Sequence, residues 1–418
     1  MTEKKIIDMM YEYGYNKIGP VLFDYTSWII TECRKRGINK IYFLARDGFL
    51  LQKIAKQICK QKGFKIDCRY LCCSRLSLRI PTYHFIGEEA YDSILYKGFH
   101  VTPDEILNRV GFSVEIKNKI LKQLNVIDKD KELNKSEFYK FANGIKNNKL
   151  FLKELKSNSK KAYETTIGYL KQEKVFDDSE FVIVDSGWIG SVQHSFKKLF
   201  ESQNFNPKIT GFYFGLYKKV DKNDGEFLTY YFDANSHIKN KIMFDNNVFE
   251  CLLLSNSGMT EGYKKDKNGI YKPLYRKTNY EMKDLIDTKN EAVIKYCNDH
   301  VGDFDDFDYK KSLKKNYKIL KKMMLYPSSD EVEIFNNIYF CNDISELSQE
   351  KMLDRTYIKY LKKYTLFPII KRVFFNAKGD SHTLYWPYGV VFYVNPILKP
   401  WYMTNLKFVN FLKSIIKK

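Results

Sequence analysis

The chain is poor in the residues that build metal sites and disulfide frameworks. Its six histidines (84, 100, 194, 237, 300 and 382) show no ligand spacing, and its eight cysteines include no Cys-x-x-Cys pair. A closed tetrahedral zinc site needs such clustered donors, so structural zinc is not expected. Cys72 and Cys73 sit side by side in an apolar run, a poor start for a disulfide framework. That usage fits a reducing compartment. No stretch approaches the roughly 18 consecutive apolar residues of a membrane span. The start, MTEKKIIDMMYEYGYNK, lacks the apolar centre of a signal peptide, and the expected location is cytoplasmic. Internal repeats and low-complexity linkers are also missing. Acids are scarce as well: Asp+Glu 50 against Lys+Arg 70 leaves a formal charge of +20.

The lysines run along the whole chain and read either as plain solvated faces or as a positive field that favours nucleic acid, an anionic membrane surface or phosphorylated substrates. No helix-turn-helix, zinc-finger or Gly/aromatic RNA-binding signature accompanies the charge, so nucleic acid is the least favoured of the three. With 418 residues, 44% hydrophobic and 16% aromatic, the chain can bury a large core in two or three units.

The first 84 residues alternate helix and strand. Leu22, Tyr25, Ile29 and Ile30 recur at helical spacing after Gly19-Pro20, and Gly37 closes the stripe. Ile41–Leu44 reads as a strand, Leu50, Leu51, Ile54 and Ile58 as the next helix, and 69–73 as a second strand. This rhythm predicts a parallel α/β sheet. Residues 85–175 change to charged amphipathic helices, a cap-like insertion, with Thr102-Pro103 placed to start a helix and Gly111 near its end. The sheet is expected to resume over 176–275, with strands at Glu180–Val184 and Ile209–Leu216 and a helix between them. Phe249–Ser255 reads as a helix and Asp266-Lys-Asn-Gly269 as a hairpin turn. Residues 276–418 form a charged helical region with an aromatic, basic tail. The helix expected at 403–418 sets Leu406, Val409, Phe411, Leu412 and Ile415 among lysines. Such a helix either packs on the body or lies on an anionic membrane.

Two strands end in a carboxylate followed by glycines: Ile41-Tyr-Phe-Leu-Ala-Arg-Asp-Gly48 and Phe181-Val-Ile-Val-Asp-Ser-Gly-Trp-Ile-Gly-Ser191. Parallel strands deliver such groups to the sheet's C-terminal edge, where open α/β sheets bind ligands. Asp47 and Asp185 are therefore expected to face one crevice. Gly187 and Gly190 let backbone approach a ligand, and Ser191 opens a helix whose N–H groups suit an anion. Trp188 either stacks on a sugar or base or plugs the sheet's end. Arg46 and Arg75 are candidate cations, though either Arg75 or Arg79 can also pair with Glu250.

Four segments in this order resemble a known family: Tyr42-Phe-Leu-Ala-Arg-Asp-Gly48, Tyr70-Leu-Cys-Cys-Ser-Arg-Leu-Ser-Leu-Arg-Ile-Pro81, Val184-Asp-Ser-Gly-Trp-Ile-Gly-Ser-Val-Gln193 and Phe249-Glu-Cys-Leu-Leu-Leu-Ser-Asn-Ser-Gly-Met-Thr-Glu-Gly-Tyr263. They resemble the hydrolase module of the haloacid dehalogenase (HAD) superfamily that occurs with bacterial capsule and O-antigen genes, alone or joined to glycosyltransferases. The likeness covers roughly residues 15–390. It implies a three-layer, HAD-like (Rossmannoid) parallel sheet with a helical insertion and a mainly helical C-terminal region. It further implies a phosphorylated sugar or nucleotide-sugar as ligand, and a glycosyltransferase as a possible partner. In the family's first motif the strand ends Asp-x-Asp-Gly, with a nucleophile and then an acid/base. Here Asp47 fills the acid/base position, followed by Gly48, but Ala45 stands at the nucleophile position. By the same likeness Ser74 would bind the transferring phosphate, Asp47 and Asp185 would hold Mg²⁺, and Lys161 would be the positive group. Gly48, Gly187, Trp188, Gly190, Ser191 and Gln193 join Arg46 and Arg75 as expected substrate contacts. The Asp185 segment is also loosely similar to a phosphoribosyltransferase loop, but Ser186 replaces the second acid and the cradle threonine is absent. Three readings stay open: phosphoryl hydrolysis or transfer without an aspartyl nucleophile, a non-catalytic module serving a glycosyltransferase, and a glycosyltransferase itself.

Overall fold

A computed structural model describes residues 2–96, 101–277, 280–340, 350–369 and 384–416. Five strands build its main sheet: β1 (Lys40–Leu44), β2 (Asp67–Leu71), β3 (Glu180–Trp188), β4 (Lys208–Leu216) and β5 (Glu226–Phe232). Their order is β2-β1-β3-β4-β5, and every neighbouring pair is parallel. Side chains alternate across the sheet. Ile41, Phe43, Val182, Val184, Phe212 and Phe214 enter one core, while Tyr42, Leu44, Phe181 and Ile183 enter another. Both faces are buried, which is why the strands read as nearly continuous apolar runs.

Helices Gly19–Arg36 and Gly48–Lys62 cover the first face, joined by Lys283–His300 and Tyr309–Leu325 from the C-terminal region. An aromatic layer of Tyr25, Trp28, Phe212, Phe214 and Tyr230 lies there, and Tyr309 closes over Trp28 and Tyr230. Helices Lys149–Gln172 and Ser191–Glu201 cover the second face through Ile167, Leu170, Phe196 and Leu199. The result is a three-layer α/β arrangement.

Between β2 and β3 the chain leaves the sheet for a run of helices with a core of their own, including Ile94, Ile106, Ile120, Phe138 and Phe151. Thr102 and Glu105 form a reciprocal capping box before the helix Pro103–Asn108, and Gly111 takes φ +68° beyond its end. Strands β6 (Thr260–Lys265) and β7 (Tyr271–Tyr275) make an antiparallel hairpin. Its turn is closed by Asp266, which accepts from the N–H groups of Asn268 and Ile270.

Three expectations need correction. The helix Gly19–Arg36 has the expected bounds but is not the first: a helix from Glu3–Tyr13 passes through a π-helical segment, Gly14–Ile18, straight into it. Glycine serves close packing there, since a Cβ on Gly14 would lie 2.9 Å from Ala292 and one on Gly19 2.7 Å from Tyr296. Second, β3 runs past Val184, because Asp185, Gly187 and Trp188 keep pairing with Tyr213, Gly215 and Leu216. Third, β5 was not anticipated. Glu226 pairs beside Thr210, so the return from Leu216 must cover about 20 Å in ten residue steps. A helix of that length needs about 13 residues, so an extended strap with one short turn, Lys222–Asp224, replaces it.

Candidate functional site

Connections leave β1 and β3 in opposite directions along the sheet, β1 toward β2 and β3 toward β4. A crevice forms at such a switch point, outside the carboxyl ends of the strands. β1 stops one residue beyond its pairing of Phe43 with Val184, while β3 continues, which opens the space. A cavity of about 130 Å³ lies there. Ala45, Arg46 and Asp47 enter it from the end of β1, Ser74 and Arg75 from beyond β2, and Asp185 through Trp188 from β3. Glu250, on the helix Asn246–Leu253, and Thr260 close it from outside the sheet.

Three carboxyl groups therefore share one small space. Burial pushes Asp47 above the usual carboxylate range, while a hydrogen bond from Ser186 and the charges of Arg46 and Arg75 pull the other way. Asp185 is pushed up to about 7, first by burial and then by Asp47, against the pull of Arg75. Glu250 also rises to about 7, by burial and then by Asp47, opposed by Arg75 and by a hydrogen bond from Trp188. That bond runs from the indole Nε1 to Glu250 Oε1 at 2.6 Å. The carboxyls are thus crowded and incompletely compensated, which is a demand for positive charge or for shared protons.

Arg75 is exposed at the mouth, and among the described residues no hydrogen bond or ion pair holds its guanidinium. Arg79 lies behind the turn and donates from Nη2 to Ser191 Oγ at 2.9 Å. It pairs with that serine rather than with Glu250, and burial lowers its pKa to about 10. Trp188 takes φ +74° and packs against Tyr217, Phe244 and Phe249, so its ring forms a wall of the cavity.

Of the residues singled out from sequence, Arg46, Asp47, Ser74, Arg75, Asp185, Gly187, Trp188 and Ser191 all line this cavity. Gly48, Gly190, Gln193 and Lys161 do not. Gly48 packs against Phe43, 2.8 Å from where its Cβ would stand. Gly190 supplies the left-handed turn (φ +69°) that starts the Ser191–Glu201 helix. Gln193 is buried: its amide donates to the carbonyls of Asp224 and Glu226 and accepts from Tyr213. Lys161 is exposed on the insertion. Ser74 reaches the cavity, but its hydroxyl is engaged, donating to Thr260 O at 2.6 Å and accepting from Ser77 N at 3.0 Å. It is a helix cap, with no hydroxyl proton left for a phosphate.

Glu250 and Ser186 were not placed in the site from sequence. The readable sign of Glu250 was a lone acid in the apolar run Val248-Phe-Glu-Cys-Leu-Leu253.

Among the described residues, no three His, Cys, Asp or Glu side chains stand together as a metal cage. Magnesium does not require one: it takes one or two carboxylates and completes its shell with water and phosphate oxygens. Asp47 and Asp185, which both line the cavity, are the two strand-end carboxylates that would serve such a shell.

No protein-family model matches the chain, and no curated protein sequence matches it either.

Proposed function

We propose that this chain acts on a phosphorylated sugar or nucleotide-sugar of surface polysaccharide synthesis, by phosphoryl hydrolysis or transfer at the Asp47–Asp185–Glu250 cavity. The observation that carries the reading is one small cavity holding three half-buried carboxyls, two of them raised to about 7, beside Arg46 and Arg75. A carboxyl near 7 gives or takes a proton readily at neutral pH. Guanidinium groups match phosphoryl oxygens in shape and charge. The polysaccharide context rests on the four-segment resemblance.

Ala45 has no group to attack phosphorus, so a water or a substrate hydroxyl attacks directly. Asp47 takes its proton, oriented by the hydroxyl of Ser186. Arg75 and Arg46 offset the charge that gathers on the phosphoryl oxygens. Glu250, its carboxyl raised to about 7, donates to the leaving oxygen. Mg²⁺, held by Asp47 and Asp185, would supply further charge neutralisation when bound.

The test is phosphate release from a panel of sugar phosphates and nucleotide-sugars, with and without Mg²⁺. Asp47→Asn is expected to lose about 10²–10⁴-fold, the usual worth of an acid/base group, and Asp185→Asn to fall with it. Activity equal to wild type in both variants would remove these residues from the chemistry. Ala45 supports a second reading, a binding module that serves a glycosyltransferase. Calorimetry showing tight nucleotide-sugar binding without turnover would select it.

A further inference from the structure

The lysines are spread along the whole chain, but the acids are not. From Arg355 to Lys418, 64 residues, there are twelve Lys and Arg against a single acid, Asp380. This segment carries +11 of the chain's +20. Exposed large apolar side chains gather in the same segment. Phe367, Ile397, Leu398, Trp401, Phe408 and Phe411 are all more than 40% exposed, and four of them, Phe367, Ile397, Leu398 and Trp401, more than 50%. They make up a third of all the exposed large apolar side chains among the described residues.

The helix Lys399–Ile416 shows how this comes about. Tyr402, Leu406 and Val409, at i, i+4 and i+7, are buried against the body. Asn410 Nδ2 donates to Ile242 O and Tyr388 Oη, and Lys407 Nζ donates to Tyr326 Oη at 2.6 Å, fixing the helix in place. Trp401, Thr404, Phe408 and Phe411, at i, i+3, i+7 and i+10, form a second stripe that faces away. A helix that only packs on its protein needs one apolar stripe. This one has two, and the outward one carries a tryptophan and two phenylalanines.

We propose that this outward stripe, with Ile397 and Leu398 before it, seats the protein on the surface of an anionic lipid bilayer. Aromatic rings suit the headgroup boundary, and each nearby lysine or arginine adds attraction to acidic lipids. Charge complementarity selects this occupant over a second copy of the chain, which would set +11 against +11. No helix among the described residues is long and apolar enough to cross a membrane, so the contact is peripheral.

The experiment is flotation of the full chain with vesicles of phosphatidylcholine alone and of phosphatidylcholine with about one-third phosphatidylglycerol. Binding to the acidic vesicles is expected to exceed binding to the neutral ones by more than tenfold, and to fall with added salt. Trp401→Ser with Phe408→Ser is expected to weaken it at least tenfold, from the apolar area no longer buried. Both positions are exposed, and an unchanged thermal melt checks that the fold is kept. Absence of binding, equal binding to both vesicle types, or binding indifferent to the double substitution would each overturn the proposal. So would a dimer in solution that the double substitution dissolves, since the stripe would then belong to a second copy.

Discussion

Replacing Glu250 with Gln tests the electrostatics of the cavity without any knowledge of substrate. The amide keeps an oxygen to accept from Trp188 Nε1 but cannot ionise. In the native chain burial and Asp47 raise this carboxyl to about 7. Each tenfold in proton affinity is worth about 1.4 kcal/mol, so holding it ionised in the fold above pH 7 costs about 3 kcal/mol relative to the unfolded chain. The sign follows from proton counting. Between its ordinary value and about 7 the native state binds more protons than the unfolded one, so stability is present at low pH and is lost as pH rises through 7. Removing Glu250 also relieves Asp185, whose pKa it raises, which adds to the effect. Urea unfolding at about pH 5 and about pH 8, with a chelator present, measures it. Relative to wild type, Glu250→Gln is expected to gain up to about 3 kcal/mol on going to the higher pH. A difference between the two proteins that is the same at both pH values would refute the argument.

Ser74→Ala is expected to cost about 1 kcal/mol in urea unfolding, the usual worth of a helix cap, and to leave phosphate release within about threefold. A large loss of activity at unchanged stability would return the hydroxyl to the ligand. Gly187→Ala should destabilise by about 2 kcal/mol or more, because φ is +112° and the new Cβ would stand 2.3 Å from Gly215 O. An unchanged urea midpoint would show that this end of β3 yields.

Local pattern made the central strands β1, β3 and β4 legible, because each is an apolar run buried on both faces. It also placed Asp47 and Asp185, since a strand's direction decides where its last side chain emerges. β5 escaped because Glu226-Phe-Leu-Thr-Tyr-Tyr-Phe232 follows β4 with no room for a helix, against the usual parallel crossover. Glu250 escaped because its stripe reads as core, and only the packing of that helix on Trp188 turns the acid toward the cavity. Gln193 and Ser74 were misread for a shared reason. Spacing along the chain shows that a polar group is near a site but not which backbone groups already occupy it.

The aromatic layer on the first face of the sheet has a consequence for how the protein is made. Tyr25, Trp28, Phe212 and Tyr230 all leave the ribosome before Tyr309 and the helix it begins, which complete their cover. From Phe232, where the last strand ends, to Leu325, where that helix ends, some ninety residues remain to be translated. At about 5–20 residues per second this leaves the part of the aromatic layer that Tyr309 covers open for roughly 5–20 s. A chain stopped in that interval would be sticky, and its fate would depend on what shields it until synthesis resumes.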